Sequence, residues 1–117
     1  MSKITVSYFE ISVTDLERAM DFYSFIFGID FEIKNIHGNE FAFFPNNIGA
    51  LAKGESYKPS RGGARIYFNV ESIDETMKSV LEKGGKELFP KTSVGEFGFV
   101  AEFEDLEGNC IALSSMQ

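Results

Sequence analysis

The chain has 117 residues, enough for one domain with a real hydrophobic core and too few for two ordinary domains. Hydrophobic residues make up 44% of the chain and charged residues 25%, which is the composition of a soluble globular protein. The net charge of −7 argues against a nucleic-acid partner, because phosphates require a basic surface.

Cys110 is the single cysteine, so no disulfide can form within the chain, and we expect a reducing, cytoplasmic location. The first residues pass directly into alternating polar and apolar positions, so we expect no signal peptide. No stretch approaches the roughly 18 apolar residues that a membrane helix needs, and we therefore expect no membrane partner.

The first half of the chain predicts a βαβββ unit. Residues 4–13 alternate as a strand does, with one face formed by Phe9, Ile11 and Val13 and the other by Tyr8, Glu10 and Ser12. Thr14 or Asp15 can cap the next helix, Thr14 with Glu17 has the spacing of a capping box, and Gly28 ends the helical pattern. Strands are then predicted over residues 31–35, 41–44 and 48–52.

The second half predicts the same order of elements after a polar connector at 53–63 that contains Gly and Pro. A strand over 64–70 leads to a helix that Ser72 caps, with Glu75 completing a capping box. The helix ends at Gly84 and Gly85, and its apolar stripe comprises Ile73, Met77, Val80 and Leu81. The last strands are predicted over 86–89, 97–103 and 110–114.

The two halves also share residues at fixed separations. Four identities lie 57 positions apart: Val13 and Val70, Met20 and Met77, Gly28 and Gly85, Gly38 and Gly95. Two more lie 62 apart, Ala50 with Ala112 and Leu51 with Leu113, which indicates a longer turn before the last strand. An internal duplication is predicted within a single domain (1–117), with module one at 1–52, the connector at 53–63 and module two at 64–117.

The turn and strand at 105–114, which read DLEGNCIALS, resemble the closing hairpin of the vicinal oxygen chelate superfamily, as does the segment VTDLE at 13–17. That superfamily contains glyoxalase I, bleomycin-resistance proteins and extradiol dioxygenases. The resemblance implies an α+β fold in which two βαβββ modules form curved mixed sheets around a cleft. The strand face of Ile66, Phe68 and Val70 would then lie under the second helix.

The resemblance also locates the positions where the superfamily's metalloenzymes carry their ligands. A His or Gln on each first strand falls on Tyr8 and Arg65, and a carboxylate on each last strand falls on Ala50 and Ala112. Arg cannot ligate a cation, Ala has no donor atom, and Tyr ligates metals only rarely. We therefore predict no metal and no other cofactor, and assign no catalytic residue.

The candidate ligand-binding residues are the polar side chains that alternation turns toward the cleft: Tyr8, Glu10, Arg65, Tyr67, Asn69 and Glu102. Arg65 is the informative one, because a guanidinium in a cleft needs an anionic partner. That partner is a ligand carboxylate or phosphate, an internal carboxylate from Glu10 or Glu102, or both together. Glu10, Glu102 and Glu104 are three acidic groups that a hard cation would accept, although such residues more often pair with basic neighbours.

These observations favour a metal-free protein that binds a small organic molecule with an apolar or aromatic part and room for an anionic group. One alternative is a lyase, isomerase or dioxygenase of the superfamily with unusual ligands such as Glu10 and Glu102, or with no metal. Another is a structural or regulatory dimer with a vestigial cleft. We expect a homodimer because each sheet has one uncovered face, whether the modules pair within or between chains.

Overall fold

The protein is described from a computed structural model covering residues 3–117. Module one contains strand β1 (Phe9–Ser12), helix α1 (Leu16–Phe27) and strands β2 (Glu32–Ile36), β3 (Asn39–Phe43) and β4 (Gly49–Lys53). Module two contains strand β5 (Tyr67–Asn69), helix α2 (Ile73–Glu82) and strands β6 (Lys86–Ser93), β7 (Phe99–Glu104) and β8 (Cys110–Ser115). Neither helix is long and apolar enough to cross a membrane.

The strands form two mixed sheets of four strands each, with the same topology. The strand order is β1-β4-β3-β2 in module one and β5-β8-β7-β6 in module two. In each sheet the first strand pairs in parallel with the last, and the remaining pairs are antiparallel. The predicted α+β fold of two βαβββ modules is confirmed.

The two modules share one hydrophobic core within the chain. The core faces of the strands lie against the helices, as the alternation predicts, and α1 also contacts α2. The ring of Phe68 in module two lies 5.6 Å from Phe9, 4.7 Å from Phe27 and 5.6 Å from Phe44, all in module one. Because these aromatic contacts cross the module boundary, neither module buries its core alone.

Several predicted boundaries are wrong. The strand predicted over 4–13 begins only at Phe9, and Ile4 and Val6 are exposed and unpaired despite their alternation. The strand predicted over 64–70 is confined to Tyr67–Asn69, and the strand predicted over 86–89 continues to Ser93. Leu81 is 53% exposed, because it lies in the last turn of α2, beside the buried stripe that ends at Val80. Phe97 belongs to a short 3-10 turn and is exposed.

The helix ends follow the predicted chemistry in part, because neither Glu17 nor Glu75 completes a capping box among the described residues. Asp15, not Thr14, caps α1, accepting a hydrogen bond from the backbone N of Arg18 at 3.1 Å. Ser72 caps α2 by accepting from the backbone N of Glu75 at the same distance. Gly28 ends α1 with φ of 65°, a left-handed conformation that glycine adopts without strain. Thr14 is therefore free for another contact, described below.

Candidate ligand-binding site

Each sheet has one face under its helix and an opposite face, called here the open face. The open face of module one is formed by Tyr8, Glu10, Phe41, Phe43 and Ala50. The hydroxyl of Tyr8 donates to one oxygen of Glu10 at 2.8 Å, and a connector residue, Tyr57, donates to the other at 2.8 Å. The ring of Tyr57 also packs edge-on against Phe41 at 5.9 Å. The connector therefore covers part of this face.

Burial and the Glu10 carboxylate both favour the protonated form of the two tyrosines. Burial and then the Glu10 carboxylate raise the pKa of Tyr8, and for Tyr57 the hydrogen bond to Glu10 is the larger cause of the raised pKa. Both hydroxyls are therefore neutral donors at physiological pH. Within the described part of the chain, Glu10 has two hydroxyl partners and no basic one.

The open face of module two is formed by Arg65, Tyr67, Glu102, Cys110 and Ala112. The Arg65 Nη1 lies 3.2 Å from a carboxylate oxygen of Glu102, and the guanidinium stays half exposed. The thiol of Cys110 lies 3.7 Å from the other Glu102 oxygen, and burial, followed by that carboxylate, raises the pKa of the thiol. Arg65 thus has the internal partner that the sequence left open, and still presents charge to solvent.

The structure divides the six predicted site residues into separate groups. Tyr8 and Glu10 bond to each other on module one, and Arg65 and Glu102 bond to each other on module two. Between residues 3 and 117, no hydrogen bond or ion pair connects these two groups, although Glu10 and Cys110 border one small cavity of about 170 Å³ under the connector.

Two predicted site residues stand apart from both groups. Tyr67 is 52% exposed, and Asn69, at the end of β5, borders a different cavity. Tyr57 was missed by the sequence analysis. The only available signal was one aromatic residue in a polar connector.

The donors do not fit the metal site of the superfamily's metalloenzymes. Ala50 lies beside Glu10 in the register of β1 and β4, and Ala112 lies beside Tyr67 and Glu102. Glu10 and Glu102, the carboxylates nearest to these positions, belong to different groups with their own partners. In the part of the chain that the structure describes, no three His, Cys, Asp or Glu side chains come together to hold an ion.

The Asp105–Asn109 turn has a structural role. Asp105 is 4% exposed and accepts hydrogen bonds from the Tyr23 hydroxyl at 2.6 Å and from the backbone N of Glu107 and of Asn109 at 2.8 and 2.9 Å. Asn109 Nδ2 also bonds to Asp105 and, at 2.9 Å, to the carbonyl of Ser12 in module one. Burial and then Asp105 raise the pKa of Tyr23 well above its ordinary value, so this donor stays protonated.

Glu107 in the same turn joins the two modules. One of its carboxylate oxygens accepts from the backbone N of Thr14 at 2.8 Å and from the Thr14 hydroxyl at 2.7 Å. The other accepts from the backbone N of Asp15 at 2.9 Å. The last hairpin of module two therefore binds Thr14 and the cap residue Asp15 just before α1, where amide groups lack helical partners.

Paired βαβββ modules with open sheet faces define a protein of the vicinal oxygen chelate type. The model of the Glyoxalase/Bleomycin resistance protein/Dioxygenase superfamily matches residues 5–113, and the chain belongs to this superfamily.

Individual proteins are similar over nearly the whole chain. A glyoxylase-like domain-containing protein of Didymella fabae is 36% identical over 92% of this chain and 91% of its own. A glyoxalase family protein of Bacillus cereus shares the fold with a TM-score of 0.76 at 19% identity, covering 98% of this chain and 95% of that one. TnmS3, an antibiotic binding protein of Streptomyces sp. CB03234, has a TM-score of 0.72 at 24% identity, covering 98% of both chains.

Proposed function

We propose that this protein binds a small organic molecule at its open faces without a metal ion. The ligand has an aromatic or apolar body, which packs on Phe43 and Tyr67, and an anionic group, which meets Arg65. The observation that carries the proposal is the chemistry at the four metal-ligand positions. Tyr8 and Arg65 supply a hydroxyl and a fixed positive charge, and Ala50 and Ala112 leave their positions without a donor.

The balance of charges on module two supports an anionic ligand. Glu102 neutralises Arg65 in part, but the guanidinium has five N–H donors and is half exposed, so donors remain for a second anion. The antibiotic-binding activity named for TnmS3 is consistent with ligand sequestration on this scaffold. A reducing cytoplasmic location is part of the proposal, because Cys110 is free and buried.

We predict that the protein purified without added metal contains no stoichiometric transition metal. The measurement is elemental analysis, followed by thermal shift with Ni²⁺, Zn²⁺, Mn²⁺ and Fe²⁺. A metal that binds the native state would raise the melting temperature by mass action, and we expect no such rise. One tightly held equivalent per chain that is lost in Glu10→Ala or Glu102→Ala would contradict the prediction and favour a metal-dependent enzyme.

We predict a homodimer in which the open faces pair around the ligand. Tyr8 and Tyr67 are aromatic side chains that remain exposed on those faces, and exposed apolar surface is a mark of association. A closed pair with two-fold symmetry would cover both faces at once. Light scattering at micromolar concentration should give twice the 13.1 kDa mass of the chain, and a mass of one chain would exclude the dimer.

We predict that Arg65→Ala weakens the binding of an aromatic anion by about tenfold to a hundredfold, because it removes a charge-assisted hydrogen bond. Anilinonaphthalene sulfonate, whose fluorescence reports apolar contact, is a suitable probe for titration. The fold should survive, because Ile66 and Phe68 remain packed against the core.

Lys83→Ala is the matched control for this experiment. It also removes a cation from an ion pair, with Asp21, but lies at the end of α2, away from both open faces. The control should leave the affinity unchanged. If Arg65→Ala lowers the melting temperature and leaves the affinity as it was, then Arg65 serves only its ion pair with Glu102.

A further inference from the structure

The two modules differ at the corner where the first strand meets the helix. Glu71 and Ser72 in module two correspond, 57 positions on, to Thr14 and Asp15 in module one. The backbone N–H groups of Thr14 and Asp15 bind the carboxylate of Glu107. Across residues 3–117, no acceptor binds the backbone N–H groups of Glu71 and Ser72. One corner therefore holds a carboxylate, and the equivalent corner has the same donors free.

The length of the facing hairpin explains this difference. Nine residues (103–111) separate the paired residues Glu102 and Ala112 in module two, whereas six (44–49) separate Phe43 and Ala50 in module one. The longer hairpin carries Glu107 to the first corner. The shorter one turns at Pro45–Asn47 and leaves a cavity of about 680 Å³ beside Glu71 and Ser72.

The cavity has the character of a small-molecule site. Its volume lies within the roughly 300–1,000 Å³ range of ligand pockets, which are mostly apolar with a few polar groups. Its apolar wall is formed by Ile26, Phe27, Phe44, Phe68 and Val70. Thr76 of α2 also lines it, and this residue is only 9% exposed.

The Thr76 hydroxyl is the second sign of a ligand. It forms no hydrogen bond with the described residues, and because none of their fully buried side-chain oxygens or nitrogens lacks a partner, this hydroxyl stays accessible from the cavity that Thr76 lines. Thr76 is the fourth residue of α2, one turn beyond the free amides of Glu71 and Ser72. A polar ligand group at this corner would satisfy all three donors.

We propose that this cavity binds a small apolar carboxylic acid. The carboxylate accepts from the backbone N–H groups of Glu71 and Ser72 and from the Thr76 hydroxyl, and the apolar body lies between Phe27 and Phe68. The carboxylate of Glu107 on Thr14 and Asp15 is the internal template for this contact. The positive end of the α2 dipole adds to the attraction. This site is separate from the open faces and goes beyond the function proposed there.

Two charged residues at the rim oppose an anion. Glu71 and Glu75 both line the cavity, and no Lys or Arg does within the described residues. Both glutamates are exposed, so their carboxylates are screened by water, whereas the backbone amides are fixed. Neutralising Glu75 as Glu75→Gln should therefore strengthen the binding of a carboxylate, and should weaken the binding of a cation.

The test compares three probes that share the same apolar body and differ in their polar group: phenylbutanoate, its amide and phenylbutylamine. Titrations are followed by the NMR signals of the backbone amides. We expect phenylbutanoate to bind about tenfold or more tightly than the amide and to move the amide protons of Glu71 and Ser72 downfield. The equivalent amides of Thr14 and Asp15 already bind Glu107 and should not move.

Variants locate the contact. Thr76→Val keeps the shape and removes the hydroxyl, so the affinity for phenylbutanoate should fall about threefold to tenfold. Ser79→Ala removes a hydroxyl from the same helix outside the cavity and should leave the affinity for phenylbutanoate unchanged. Arg65→Ala, on the open face, should also leave this affinity unchanged. Tighter binding of the amine, unmoved Glu71 and Ser72 amides, or no binding of any probe up to about 5 mM would each overturn the proposal.

Discussion

Asp105→Ala should lower the free energy of unfolding by about 3–5 kcal/mol, because it removes the acceptor for several buried donors at once. Asp105 is buried and binds the Tyr23 hydroxyl, the backbone N of Glu107 and both nitrogens of Asn109. Without the carboxylate, these donors lose their buried acceptor and keep the cost of their desolvation. Denaturant unfolding at neutral pH measures the change.

Asp30→Ala is the control, because it makes the same chemical change at an exposed position that forms no ion pair within the described chain. Its effect should stay within about 0.5 kcal/mol. Tyr23→Phe removes one of the donors and leaves Asp105 its other partners, so it should cost less than Asp105→Ala. A loss below about 1 kcal/mol for Asp105→Ala would show that water replaces the carboxylate.

The same turn connects stability with the open face of module one. Asn109 binds the carbonyl of Ser12 at the end of β1, the strand that carries Glu10. It also accepts from the backbone N of Ser60 in the connector, which contains Tyr57. The turn of module two therefore positions the strand and the connector that build the open face of module one.

Much of the fold could be predicted because its signals are local and periodic. Alternation assigned Ile11 to the core and Glu10 to the open face, and helical spacing with Asp15 and Gly28 bounded α1. The repeat at 57 positions predicted the same arrangement in module two, where Phe68 packs against the core. Alternation failed at Ile4, because a strand also needs a neighbour to pair with.

The candidate site was harder to predict, because its contacts join distant parts of the chain. Tyr57 meets Glu10 across 47 positions, and Glu107 meets Thr14 across 93. No local pattern marks such pairs. The closing turn resembled the family motif in sequence, but its bonds to Tyr23 and Ser12 appear only in three dimensions.

The unequal repeat was visible in the sequence, but its consequence was not. Ala50 and Ala112 lie 62 positions apart where earlier residues lie 57 apart, which indicates a longer turn. Whether extra residues project into solvent or fill a gap depends on what faces them. Here they carry Glu107 into one corner, and the shorter turn leaves the other corner open.

Glu107→Ala should lower the free energy of unfolding by about 2–3 kcal/mol. The carboxylate accepts three hydrogen bonds, two from the backbone N–H groups of Thr14 and Asp15 and one from the Thr14 hydroxyl. Hydrogen bonds to a charged acceptor are worth more than neutral ones, and partial exposure of this corner keeps the total below their sum. Hydrogen exchange at the Thr14 and Asp15 amides should become faster in the variant. An unchanged free energy and unchanged exchange would exclude the role of Glu107 as a link between the modules.

Free acetate should restore part of the stability that Glu107→Ala loses. The variant leaves the corner of module one with the same free donors that Glu71 and Ser72 present in module two, and a carboxylate that binds only the native state raises stability by mass action. We expect acetate to raise the melting temperature of Glu107→Ala more than that of the unmodified protein, with chloride at equal ionic strength as the control. Glu107→Gln keeps an acceptor in place, so it should lose less stability and gain less from acetate. Equal rises in melting temperature for the variant and the unmodified protein would mean that acetate does not replace the missing side chain. The contact of Glu107 with Thr14 and Asp15 would then give no support to a carboxylate site in module two.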